Sequence, residues 1–225
     1  MLNQVNSFNE LRVLDIGCNI GDLLDEISSR TQLQARLKRY VGLDAATDAI
    51  KIAKSNHPQY TFVLADALQE STYNSSVIPN DNNIIVCSGL CDYLSPKNIK
   101  LLLSLLEKKL STKPSSRIYI NYPTTRPTYG LFSENDLCFI DQFYAEYDQY
   151  YGGSVFVEDE IRGIVYGKNP HFFKYKPDEF NKMIENANFE IERANSISNL
   201  PYVPLGTQPH SGKRTYDCLC IKRSN

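Results

Sequence analysis

The residues best suited to chemistry in this chain are three acids, each at the end of a short apolar run. The stretch VLDIGCNIG, Val13 to Gly21, carries Asp15 near the end of such a run and then bends through Gly17, Cys18, Asn19 and Gly21. Glycine lets a backbone turn tightly and approach a ligand closely. Ligands of open α/β sheets sit at bends of this kind, beyond the carboxyl ends of the strands. A strand-to-helix turn that binds nothing has the same need for glycine. The second run, YVGLD, ends in Asp44 beside Ala45, and a carboxylate there can accept hydrogen bonds from both hydroxyls of a ribose. The third, in LADA, ends in Asp66 and Ala67, where an acid can accept from the exocyclic amine of adenine. Any one of these acids serves equally well as a helix cap. Three of them at three consecutive strand ends point together to an adenosine-type ligand.

Several elements must position these residues. Apolar runs predict strands at Arg12–Ile16, Tyr40–Leu43, Tyr60–Leu64, Asn83–Cys87 and Arg117–Tyr122. Between them, one-sided apolar spacing predicts helices at Asp22–Ser29 and Ala46–Ser55, and a long helix to Lys109 with Ser95 as N-cap and Pro96 in its first turn. Helices alternating with short buried strands imply right-handed crossovers and a parallel sheet. The alternation stops at Pro123. Regular structure resumes with a helix at Asp178–Asn186 and strands at Phe189–Arg193 and Tyr216–Ile221. In between, Ser154–Val157 and Ile161–Tyr166 are two β-type runs with hairpin spacing. The expected fold is α/β: a doubly wound, Rossmann-like, mostly parallel seven-stranded sheet with an antiparallel last strand and an aromatic-rich insert after the fifth strand. Residues 1–225 then form a single domain, with a core of 11–122 and 174–225 and an acceptor-side insert or lid at 123–173.

From Arg12 to Tyr122, about half of the chain, these motifs resemble the class I S-adenosylmethionine-dependent methyltransferase family in the order in which that family carries them. The family pattern acid-x-Gly-x-Gly-x-Gly stands here as Asp15, Gly17, Asn19 and Gly21, with Asn19 in place of the middle glycine. After glycine, asparagine tolerates left-handed backbone angles best. The resemblance implies that the cofactor is S-adenosyl-L-methionine and its product S-adenosyl-L-homocysteine. It also implies that Gly17, Cys18 and Asn19 contact the methionine portion with Asp15 nearby, and that Asp44 binds the ribose with Ala45 beside it. Asp66 and the backbone of Ala67 would bind adenine, and Ser88, Gly89 and Leu90 would line the sulfonium side. The dinucleotide pattern G-x-G-x-x-G fails at Asn19 and Asp22, and no glycine precedes Lys-Ser or Lys-Thr as a phosphate loop requires.

Methyl transfer from a sulfonium needs in-line alignment, and a general base only for a hydroxyl or protonated amine acceptor. Of the three histidines, His57 and His210 read as surface loop residues, while His171 lies where the insert rejoins the sheet. His171 and Tyr93, which faces the expected cleft mouth, are the candidate catalytic residues. Tyr122 fits the core. The loop after the fourth strand reads Ser-Gly-Leu-Cys and not Asn-Pro-Pro-Tyr, which weighs against amino-methylation of DNA bases; Asn121-Tyr122-Pro123 stands on the fifth strand.

The insert carries Tyr129, Phe132, Phe139, Phe143, Tyr144, Tyr147, Tyr150 and Tyr151. Aromatic walls suit a small-molecule acceptor that is itself aromatic or apolar; the same rings also suit the insert's own core or a dimer contact. The formal net charge is −2, and the short basic pairs Lys38-Arg39, Lys108-Lys109 and Lys213-Arg214 read as solvated surface. That balance favours no nucleic acid and no membrane partner, and places an RNA or protein methyltransferase second to a small-molecule one. A non-catalytic, cofactor-binding partner protein is the alternative of another class. No run approaches the ~18 apolar residues of a membrane span, and the start MLNQVNSFNE lacks a secretory pattern, so the expected location is cytoplasmic. The six cysteines lack zinc spacing and read as buried, reduced thiols, with no metal, in a monomer or homodimer.

Overall fold

A computed structural model describes residues 8–124, 155–157, 173–196 and 215–224. The chain runs β1 (Leu11–Ile16), α1 (Asp22–Ser28), α2 (Thr31–Gln34), β2 (Leu37–Asp44), α3 (Thr47–Asn56), β3 (Thr61–Leu64), α4 (Glu70–Asn74), β4 (Ile84–Cys87), α5 (Pro96–Lys109), β5 (Arg117–Thr124), β6 (Val155–Val157), β7 (Phe173–Tyr175), α6 (Pro177–Glu185), β8 (Phe189–Ser196) and β9 (Thr215–Arg223). The one-turn helices α2 and α4 escape the sequence reading because neither is long enough to show a helical period.

Seven strands lie in the order β3-β2-β1-β4-β5-β9-β8. β1 to β5 pair in parallel, and β9 runs antiparallel to both β5 and β8. This is the expected Rossmann-like sheet with its antiparallel last strand. β4 pairs with β5 only as far as Ile120, while β9 follows the opposite edge of β5 through Thr124. The β4-side edge of β5 is therefore open beyond Ile120, and β7 joins it there at Thr124–Tyr175, with β6 antiparallel to β7. Val155–Val157 thus pairs with Phe173–Tyr175. The other arm of the predicted hairpin, Ile161–Tyr166, lies outside the described residues, as do the insert's aromatic residues named above.

Strand alternation sorts the side chains onto the two faces. Val13, Tyr40, Phe62, Ile84, Val86 and Tyr119 pack with Leu24 and Ile27 of α1 and Ile50 and Ala53 of α3. Leu14, Ile16, Val41, Leu43, Ile85 and Ile118 pack on the other face with α5 and α6. α5 starts as its sequence dictates: the Ser95 hydroxyl accepts from Asn98 N–H, and Pro96 occupies the first turn. In α6, Phe180 stacks on Tyr122 at 3.8 Å with Tyr175 edge-on, and the Tyr122 hydroxyl donates to Asp217.

Two expectations are corrected. Lys109 is not a solvated surface residue: its ammonium donates to the Ile78 carbonyl at 2.8 Å, which satisfies the loop before β4 from the end of α5. His57 is also buried, as the residue that ends α3. The five described cysteines, Cys18, Cys87, Cys91, Cys218 and Cys220, are free thiols.

Candidate functional site

The order β3-β2-β1-β4 places the C-terminal ends of these four strands side by side, with the topological switch between β1 and β4. Register aligns Asp15 with Gly42 and with Val86, and Asp44 with Leu64, so Asp15 stands one pleat below the strand tip that Asp44 occupies.

The bend after β1 closes over the end of β2. Gly17 and Cys18 both donate their N–H groups to the Leu43 carbonyl, at 2.7 and 3.0 Å. Gly17 (φ 76°), Asn19 (φ 49°) and Gly21 (φ 99°) all lie in the left-handed region. Asn19, standing at the family's middle glycine, adopts the angle that glycine would, and its side-chain amide donates to Asp22. The Asp44 carboxylate secures the arrangement, with one oxygen accepting from Asn19 N–H at 2.9 Å and the other from Ala46 N–H at 2.8 Å. Each carboxylate oxygen has a second lone pair, so a half-exposed Asp44 can accept two further hydrogen bonds from outside. Asp66 is exposed just beyond β3, with one oxygen accepting from Leu68 N–H; Ala45 is exposed and Ala67 buried.

Asp15 is held differently. Its side chain points into the layer under α1 and α3, 3% exposed, and accepts from the Tyr40 hydroxyl at 2.5 Å. Burial raises its pKa to about 7; the Tyr40 hydrogen bond opposes this only in part, while Asp22 and Asp44 add to it. Asp15 therefore ties β1 to β2 below the bend.

Beneath the bend, Gly42 is required by packing. A Cβ there would lie 2.8 Å from both Cys18 Sγ and Phe62 Cδ1. His57 supports the far end of the bend: a Cβ on Gly21 would lie 3.0 Å from its ring, and its Nε2 is 3.1 Å from an Asp25 carboxylate oxygen of α1. Neither residue carries a signal in the sequence, because both act through neighbours distant along the chain.

Across the switch, Ser88, Gly89 and Leu90 form the opposite lip. A Cβ on Gly17 would meet Leu90 Cβ at 3.6 Å, so the two lips are adjacent; one on Gly89 would meet nothing within 4 Å. Asn121 of β5 reaches this lip. Its side-chain oxygen accepts from Gly89 N–H at 2.7 Å, and its nitrogen donates to Ser88 Oγ at 3.0 Å. Cys91–Tyr93 forms a single 3-10 turn behind the lip, where Tyr93 is 58% exposed. His171 and His210 lie outside the described residues. Among the described residues, no group of His, Cys, Asp and Glu has a metal-binding arrangement, and no helix is long and apolar enough to cross a membrane.

A parallel sheet reversed at β1/β4, a left-handed bend braced by an acid and a carboxylate at the tip of β2 define a class I methyltransferase fold. The methyltransferase domain family matches residues 4–194, so the chain belongs to that family and is an S-adenosylmethionine-dependent methyltransferase. Solved structures agree in fold. A magnesium protoporphyrin IX methyltransferase from Synechocystis PCC 6803, with S-adenosylhomocysteine bound, superposes with a TM-score of 0.60 at 14% identity, over 99% of this chain and 78% of that one. A TehB-like methyltransferase from Corynebacterium glutamicum gives 0.58 at 15% identity, over 99% and 85%. The mitomycin 7-O-methyltransferase MmcR gives 0.55 at 14% identity, over 96% and 49%. No curated protein matches the sequence.

Proposed function

We propose that this chain methylates a small-molecule acceptor, at oxygen or nitrogen, with S-adenosylmethionine held across the ends of β3, β2, β1 and β4. The observation that carries the reading is Asp44: its carboxylate fixes the bend after β1 while keeping a lone pair on each oxygen for a ribose hydroxyl. Asp66, exposed one strand further out, suits the adenine amine together with the Ala67 backbone. The left-handed bend at Gly17 and the open space beside Gly89 leave room where a thin ligand would pass.

Bound S-adenosylmethionine supplies a methyl group already activated by the sulfonium charge. The protein's own contribution is alignment and exclusion of water, and alignment of two reactants can supply about 7–11 kcal/mol of the barrier. Asp15, buried below that bend, joins β1 to Tyr40 of β2. Tyr93, exposed on the turn after the second lip, and His171 are retained as candidate base or acceptor contacts. The near-neutral net charge supports a small acceptor over a nucleic acid, and the aromatic insert supports an aromatic or apolar one. The test is mass-spectrometric: the protein is incubated with S-adenosylmethionine and a panel of small aromatic and apolar metabolites, and products 14 Da heavier are sought, a methyl group in place of hydrogen. Methylation confined to RNA or protein fractions would overturn the small-molecule assignment.

A further inference from the structure

We infer that Asn121 is a positioning residue that turns the Ser88 hydroxyl into a hydrogen-bond donor for the amino-acid carboxylate of the cofactor. The inference rests on the cofactor placement proposed above and follows from donor and acceptor chemistry. Gly89 N–H can only donate, so the Asn121 atom 2.7 Å away is the carboxamide oxygen. The carboxamide orientation is thereby fixed, and its NH2 faces Ser88 Oγ at 3.0 Å. An amide nitrogen cannot accept, so Ser88 Oγ accepts from Asn121 and its own proton is left for another partner. Ser88 is exposed, on the lip adjacent to Gly17.

Strand order identifies that partner. An adenosine whose adenine lies at β3 and ribose at β2 extends its other end across β1 toward β4. At that end the sulfonium and ammonium are cations, and the carboxylate is the group that accepts hydrogen bonds. The Ser88 proton, which Asn121 leaves free, is the donor on this lip that the carboxylate can accept.

The test is binding of S-adenosylmethionine and of decarboxylated S-adenosylmethionine to wild type, Ser88→Ala, Ser88→Thr and Asn121→Asp, measured by calorimetry. Asn121→Asp keeps the acceptor for Gly89 N–H but removes the donor, so Ser88 turns its proton inward to the new carboxylate. Hydrogen bonds to charged groups set the expected loss: Ser88→Ala and Asn121→Asp each weaken S-adenosylmethionine about 10- to 100-fold. The decarboxylated ligand binds all four proteins alike, and Ser88→Thr retains wild-type affinity. Equal weakening of both ligands, or of neither, overturns the inference, as does an Asn121→Asp protein that binds like wild type. A wild type that binds neither ligand instead refutes the cofactor placement itself.

Discussion

The Asp44 carboxylate accepts the backbone N–H of Asn19 at 2.9 Å, across 25 residues of sequence. One side chain thereby joins the tip of β2 to the bend after β1, and both must be in place before a ligand can use either.

Asp44→Ala should therefore lose more than a ribose contact. Removing an acceptor for charged hydrogen bonds is expected to weaken S-adenosylhomocysteine binding by at least about tenfold. The check is calorimetry against wild type. Unchanged affinity would refute the ribose assignment.

Gly42→Ala should destabilise the protein by crowding the underside of the bend. Its methyl would sit 2.8 Å from Cys18 Sγ and Phe62 Cδ1, and overpacking of this kind costs about 1–3 kcal/mol. Urea denaturation should show a lower midpoint with little change in slope.

Asp15 makes stability pH-dependent, with a sign fixed by its raised pKa. Folding favours the protonated form, so its stabilising contribution is complete below the ordinary carboxyl value of 3.8 and is lost as pH rises through about 7. Asp15→Asn keeps an acceptor for Tyr40 and removes the titration. Relative to wild type, the variant should gain stability between about pH 4 and pH 7 in matched urea melts, and the difference should level off above that. A difference that does not vary with pH would contradict the assignment.

Two substitutions, one in α6 and one on β8, should separate packing from surface charge. Phe180→Ala removes a fully buried ring stacked at 3.8 Å on Tyr122 and should cost about 3–5 kcal/mol. Glu192→Gln weakens the two 2.7 Å hydrogen bonds from Arg117, but Glu192 is exposed, and the expected cost is about 1 kcal/mol or less. Thermal melts of the pair should differ accordingly, and high salt should narrow the gap between wild type and Glu192→Gln only.

The strands and long helices were legible because their signals are local. Four apolar residues in a row at Ile84–Cys87 mark a strand buried on both faces, and Ser95-Pro96 marks where α5 begins. The acids at the strand tips were legible for the same reason, since a strand's end is visible in its own sequence. The pairing of Val155–Val157 with Phe173–Tyr175 was not, because it depends on which edge of β5 is left open, and that is decided by how far β4 and β9 reach. Lys109 and His57 looked like surface residues because a charged or polar side chain gives no sign of the carbonyl or glycine it will meet.

The sequence by itself determined the alternation of elements, the left-handed bend at Gly17 to Gly21 and the presence of acids at three strand ends, all properties of short contiguous segments. Only the tertiary structure decided how those acids divide their work: Asp15 turned inward to Tyr40, Asp44 bridging to Asn19, and Asn121 reaching across to Ser88 and Gly89. The physical reason is strand pairing. Neighbours in a parallel sheet are set by order and register, and these bring together residues 25 to 33 positions apart that no local pattern connects.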